Sequence, residues 1–235
     1  MHKTRQMSDT MLLGVFLAFA GGFMDAYSYI LRDQVFANAQ TGNMLLFGVY
    51  VSEGNFIVAK DYICPVLAFT MGIIISDVVH YLVQIKSEIE RLHWRQVAVA
   101  IELVILFGVG FISQQGNLVA NGFLSMACGI QVESFRKIHG NGIATTMCIG
   151  NLRSATSNLY SYIIEKKKSG LRKFILYFIV IVCFVFGAII GNICIQVLQE
   201  RAIWVDAFVL CICLLLMFKE EIEIEEKISI CRRKN

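Results

Sequence analysis

Proline and charge are what this chain has least of. There is one proline in 235 residues, and 17% of the residues are charged, against about a quarter in soluble domains. Hydrophobic residues reach 57%, and the mean hydropathy is +0.64. That balance excludes an ordinary soluble domain. The chain also lacks a nucleophile elbow, a Walker loop, an HExxH helix, a Cys-x-x-Cys pair and a dinucleotide glycine fingerprint. The enzyme classes built on those motifs have no foothold here. The net charge of +3 comes from Lys and Arg in short loops beside hydrophobic runs. This is the pattern of orientation signals, not of a nucleic-acid surface.

What the chain does contain is apolar runs of about the 20 residues a spanning helix needs, set between short charged clusters. Spans are expected at about 12–31, 62–85, 96–114, 118–138, 173–198 and 202–218, with a charged cytoplasmic tail at 219–235. Pro65 falls in the first turn of the second span, where its missing N–H does no harm. Lys3, Arg5 and the run up to Ala18-Phe19-Ala20 imitate a signal peptide. Hydrophobicity continues past Ala20 to Leu31, so the run reads as a retained first helix. Of the eight cysteines, Cys64, Cys128, Cys148, Cys183, Cys194, Cys211 and Cys213 lie in apolar segments and Cys231 in the tail. Without zinc-site spacing they read as packing residues, and neither metal nor cofactor is expected.

One stretch breaks the apolar pattern. Phe36-Ala37-Asn38-Ala39-Gln40-Thr41-Gly42-Asn43 is polar, carries a glycine and lies inside a hydrophobic region. In lipid such backbone survives only where protein or water surrounds it. Asn, Gln and Thr offer donors and acceptors, so a functional cavity is the first reading. A polar seam between packed helices is the structural alternative.

An internal repeat surrounds this stretch. At a shift of 108, Gly21 meets Gly129, Asp25 meets Glu133, and Gly42-Asn43 meets Gly150-Asn151. At a shift of 115, Phe69, Gly72, Ile74, Ile75 and Asp77 meet Phe184, Gly187, Ile189, Ile190 and Asn192. Each half, about 12–114 and 118–218 of a single membrane domain 1–218, reads as helix, polar broken segment, helix, helix. If the broken segments re-enter on the side they left, six helices span. Nearly all basic residues then lie in the cytoplasm, and only Arg32, Lys60 and Arg201 lie outside. Eight spans would move Lys86, Arg91, Arg95, Arg136 and Lys137 outside, so the positive-inside rule favours six. Three spans per half make the repeat an inverted one, the pattern of secondary transporters with a midplane site.

The residues also carry a resemblance. Gly21-Gly22-Phe23-Met24-Asp25-Ala26-Tyr27, followed by Phe36 to Asn43, resembles the signature of the YoaK-like family of bacterial membrane proteins. Phe184-x-x-Gly187-Ala188-x-x-Gly191 is similar to that family's later motif. The resemblance covers nearly the whole chain. It implies a bacterial inner-membrane protein of this architecture and no established substrate. The second half reads Cys148-Ile149-Gly150-Asn151, so the Gln-Thr pair is not repeated and the first half should dominate any single site.

The expected substrate-binding set is therefore Asn38, Gln40, Thr41, Gly42, Asn43, Thr145, Thr146, Gly150 and Asn151. Intramembrane ionisable residues usually face a cavity or a partner. Asp25 and Asp77 are the deepest and are the candidates for proton or ion coupling, with Tyr29, His80, Glu133 and Asn192 in support. Glu102 and Asp206 read as helix starts, where the dipole favours a negative charge. The leading function is a small-solute secondary transporter or channel-like carrier of the bacterial inner membrane, with both termini cytoplasmic. A membrane enzyme acting on a lipid or small molecule, using His80 and the acids, is the alternative, as is a non-transporting structural protein. The expected partners are the lipid bilayer and an unidentified small solute. A homodimer is left open, and nucleic acid is excluded.

Overall fold

The computed structural model describes residues 11–85, 93–138 and 141–233. Among these are eight α-helices: α1 (Met11–Leu31), α2 (Gln40–Ser52), α3 (Phe56–Ile85), α4 (Trp94–Val109), α5 (Asn117–Ser134), α6 (Cys148–Ile163), α7 (Lys168–Leu198) and α8 (Ile203–Arg233). Short 3-10 turns lead into α5 and α8. Strand pairing among the described residues is confined to Lys137–Ile138 against Asn141–Gly142. The fold is all-α, as expected.

Three helical stretches are long and apolar enough to cross a membrane: Met11–Leu31, Phe56–Val83 and Lys168–Lys219, the last running through α7 into α8. Large apolar side chains cover the exterior, and polar ones are buried among the apolar residues of the core. Leu67, Val104, Phe107, Ile149, Val197 and Phe208 are exposed, while Ser28, Arg32, Asn43, Ser125 and Gln131 are completely buried. An apolar exterior, with polar groups enclosed inside, is what lipid solvation requires.

Several boundaries differ from the sequence expectation. α3 begins at Phe56, so Pro65 sits inside the helix and removes one of its backbone hydrogen bonds. Lys60 and Asp61 suggest a loop by their charge, but they ride on this helix. α2 takes in the polar Gln40, Thr41 and Asn43, and the polar region 139–165 contains the whole of α6. α8 continues through most of the stretch expected as a tail. Glu102 lies about two turns into α4 rather than at its start. Most of the charged loop 86–95 lies outside the described residues.

The packing pairs distant helices. α1 lies chiefly on α7, and α3 chiefly on α5; α2 rests on α3, α6 on α7, and α4 on α8. The first two crossings are tight for the same reason. A β-carbon on Gly22 would collide with the Phe184 carbonyl, and one on Gly187 with the Phe19 carbonyl. At the other crossing, Gly129 faces the Phe69 carbonyl and Gly72 the Met126 carbonyl. Helices in lipid gain affinity from such close backbone approach, because lipid tails supply no hydrophobic drive between them.

Gly22→Ala is therefore expected to destabilise the protein by roughly 1–3 kcal/mol, the usual range for overpacking. Gly48→Ala, where nothing lies within 4 Å of the added carbon, should leave stability unchanged. Thermal unfolding of both variants in the same detergent checks the difference.

Candidate functional site

The site begins where α1 ends. Arg32 is fully buried and has no acidic partner among the described residues. Its guanidinium donates instead to neutral oxygens: the carbonyls of Ile112 (2.8 Å) and Ser113 (3.1 Å), Asn117 Oδ1 (3.0 Å) and the Tyr27 hydroxyl (2.7 Å). Tyr27 in turn donates to the Glu200 carbonyl at 2.8 Å. Arg32 thus ties the end of α1 to the α4–α5 turn and the α7–α8 turn. Carbonyls just past the end of α4 carry the negative end of its dipole, which suits a cation. Directly after this staple, Asp33 and Gln34 both adopt left-handed backbone, with φ of 62° and 58°. Two such residues in succession cost of order 1–3 kcal/mol each, and they turn the chain back into the bundle.

The broken segment that follows has its backbone satisfied by side chains. Asn43 in α2 accepts from the Phe36 amide (3.0 Å) and donates to the Phe36 carbonyl (2.7 Å). Its amide also donates to Gln40 Oε1 at 2.9 Å. Gln40 donates to the Ala37 carbonyl at 2.7 Å and to Ser125 of α5 at 3.3 Å. Ser28 accepts from the Ala37 amide at 3.0 Å. Asp25, on the next turn of α1, accepts from the Asn38 amide at 2.7 Å and faces the amides of Ala37 and Ala39. Ala39 precedes α2 and offers no side-chain cap. The carboxylate of another helix takes that place, at the positive end of the α2 dipole.

The second broken segment has the same seven-residue closure. Asn151 of α6 accepts from the Ala144 amide (3.3 Å) and donates to the Ala144 carbonyl (2.6 Å). Thr145 accepts from Gln131 at 3.1 Å, and Gln131 also donates to the Leu17 carbonyl at 2.9 Å. The two segments meet on α1. Asn38 donates to the Gly21 carbonyl at 3.0 Å. A β-carbon on Gly21 would lie 3.2 Å from both the Thr145 carbonyl oxygen and the Thr146 α-carbon. Cys148, the first residue of α6, lies near enough to Asp25 to feel its charge. The N-termini of α2 and α6 therefore approach the middle of α1 from its two sides.

Polar capacity is left over at this meeting point. Asn38 Oδ1, Thr146 Oγ1 and Gln131 Oε1 are buried and have no hydrogen-bond partner. Unsatisfied buried acceptors are rare and costly. Two on the segments that converge at Gly21, with a third on Gln131 of α5 beside Thr145, make a place where water or a polar solute would be held.

Other expected residues lie elsewhere. Thr41 and Gly150 are exposed, Gly150 on an outward groove of α6 beside Ile149 and Arg153. Gly42 packs against the Phe36 ring, and Tyr29 stacks on that ring at 4.9 Å. Asp77 is exposed on α3, with its carboxyl in hydrogen-bonding reach of Glu133, which pairs with Arg136 at 2.6 Å. His80 contacts the Trp94 ring at 4.4 Å, and Asn192 is exposed on α7. These four do not join the cluster around Asp25. Arg32, Ser28, Ser125 and Gln131 are site residues that the sequence reading misses. Gln131 alone leaves a signal, being an amide two residues after the repeated Gly129.

Taken together, a helical bundle with an apolar exterior, two broken segments and a buried polar centre defines an integral membrane protein of polytopic helical type. A family model described as a protein of unknown function, DUF1275, matches residues 13–216, and the chain belongs to that family. It is 26% identical over 198 residues to the UPF0700 transmembrane protein YoaK of Bacillus subtilis strain 168, covering 80% of this chain and 85% of that one. No solved structure matches it.

Asn43→Ala and Asn151→Ala should each strand a backbone N–H and C=O in the bundle, at roughly 1–3 kcal/mol per buried group. Asn43→Asp sets a carboxyl oxygen against the Phe36 carbonyl and Gln40 Oε1, so unless protonated it should lose at least as much as Asn43→Ala, and its loss should ease at low pH. Chemical unfolding of the three variants in lipid-detergent micelles measures the order.

Proposed function

We propose that this protein is a small-solute secondary transporter or channel-like carrier of the bacterial cytoplasmic (inner) membrane. The observation that carries the reading is the meeting of the two broken segments at Gly21, beside Asp25. Two half-helix N-termini with unused polar atoms between them form a midplane site of the kind carriers use. In the solute-binding shell, Asn38 and Thr146 offer their unpartnered oxygens to the solute, and Gln40, Asn43, Thr145 and Asn151 hold the two segments around it. Asp25 takes and releases a proton as access alternates.

The same reading makes the two halves inverted repeats of three spans each, with both termini cytoplasmic. Support comes from the exchanged packing. If α1 corresponds to α5 and α3 to α7, then α1 on α7 and α5 on α3 are one contact made twice. Each rests on a glycine pair facing carbonyls, and each half closes its break with an asparagine. Clustering of the end of α1 with the α4–α5 and α7–α8 turns around Arg32 fits their assignment to the outer side.

The six-span arrangement predicts that Lys137→Cys, on a background without native cysteines, is labelled only after the membrane is permeabilised. Labelling in intact cells would favour eight spans. Function is tested by flux of a broad metabolite pool into proteoliposomes, with and without a pH gradient. Asp25→Asn keeps shape and hydrogen bonding but cannot titrate. It is expected to retain solute exchange and lose pH-driven accumulation, at least tenfold, about 1.4 kcal/mol of driving force. Unchanged pH-dependent uptake in this variant would move the coupling role to Asp77.

A further inference from the structure

A second pair of acids lies deeper than Asp25. Glu102 of α4 and Asp206 of α8 are both fully buried, on the two helices that pack against each other between the halves. All four of their carboxyl oxygens are enclosed and lack any hydrogen-bond partner. Their helical neighbours Ala98, Leu106, Ala202 and Leu210 are completely buried and apolar. Arg32, by contrast, is surrounded by acceptors that balance its charge. Among the described residues the titratable groups around the pair are the buried thiols of Cys128 on α5 and Cys213 on α8. Beyond Cys128 lies Asp25 of α1. Arg201, in the turn before α8, is directed outward over the Trp204 ring. No group of three or more His, Cys, Asp or Glu suited to a metal occurs among the described residues.

We propose that Glu102 and Asp206 form a proton-binding pair at the seam between α4 and α8. The argument is one of charge balance. Two carboxylates enclosed among apolar side chains cannot both stay ionised without a counter-charge, and among the described residues no cation stands opposite them. A sodium ion needs several oxygen ligands, and the surroundings supply thiols and aliphatic carbons instead. A proton needs none beyond the carboxyl itself. In the conformation described here each carboxyl therefore holds a proton, and a conformation that separated α4 from α8 or admitted water would release it. Cys128 of α5 is close to both the pair and Asp25 of α1, which brings a third acid into the neighbourhood. Any role of the pair in coupling rests on the carrier reading above; its binding of protons does not.

The test reads protonation directly in the full-length protein in lipid vesicles. Infrared spectra at neutral pH should contain the carbonyl stretch of buried protonated carboxyls. Glu102→Gln and Asp206→Asn should each remove part of it, and the double variant both parts. A hydrophobic carbodiimide, which attacks protonated carboxyls, should label Glu102 or Asp206 of the wild-type protein, as read by peptide mass. This arm stays informative if a variant fails to fold. Absence of both the band and the label in folded wild-type protein overturns the proposal, as does a band untouched by the double variant. If no solute crosses the bilayer but the band and label are present, the carrier reading fails and the proton pair stands. If flux is normal and the band is absent, the pair alone fails.

Discussion

Backbone polarity in a waterless medium is the constraint on which this structure depends. A helix satisfies its own amides and carbonyls, but a break in a helix cannot. Here each break is closed by one asparagine reaching back seven residues, Asn43 to Phe36 and Asn151 to Ala144. The side-chain amide carries an N–H donor and a C=O acceptor, as a peptide group does, so it can stand in for a missing neighbour in the helix ladder. Ser28 and Asp25 perform the same service for Ala37 and Asn38. Without these side chains the loops at the ends of α2 and α6 would need water at the middle of α1.

Buried charges of opposite sign are treated differently in the bundle. Arg32 donates to four oxygens, the Tyr27 hydroxyl and three acceptors within residues 112–117, and it fixes one end of the fold. The buried acids receive much less. Asp25 is partly compensated by the amides ahead of α2, while Glu102 and Asp206 receive no hydrogen bond. A cation held this firmly is architectural. Acids left with so few partners are the groups whose occupancy can change.

The broken segment is legible in the sequence because polar residues stand out against an apolar background. Asn43 and Asn151 pair at a shift of 108, and the structure gives both the same backbone contacts. The packing of the glycines follows a slightly different register, with Gly22 rather than Gly21 in the position matching Gly129. A one-residue difference between the halves before the break is invisible to a fixed shift. Arg32 reads as an external loop charge because its carbonyl acceptors lie about eighty residues away in sequence, and no local pattern announces them. Glu102 reads as a helix start because Trp94 and Arg95 resemble loop, not helix. The helical character of the 148–163 stretch is masked by its own polarity: Asn, Ser, Thr and Arg interrupt every apolar run in it, so a search for spans passes over it.

The exchanged packing of α1 on α7 and α3 on α5 also bears on how the chain is assembled. Because α1 has its chief partner near the far end of the sequence, it enters the bilayer long before that partner is made. Until Phe184 is made, Gly22 must rest against lipid, the insertion machinery or transient neighbours. The α1–α7 crossing cannot form before α7 is present, whereas α2 on α3 and α6 on α7 are contacts between neighbours in sequence. A truncation after the first four helices would leave α1 without its crossing and α5 absent beneath α3. Such a fragment is an intermediate of assembly, and the second half is needed to turn it into a protein.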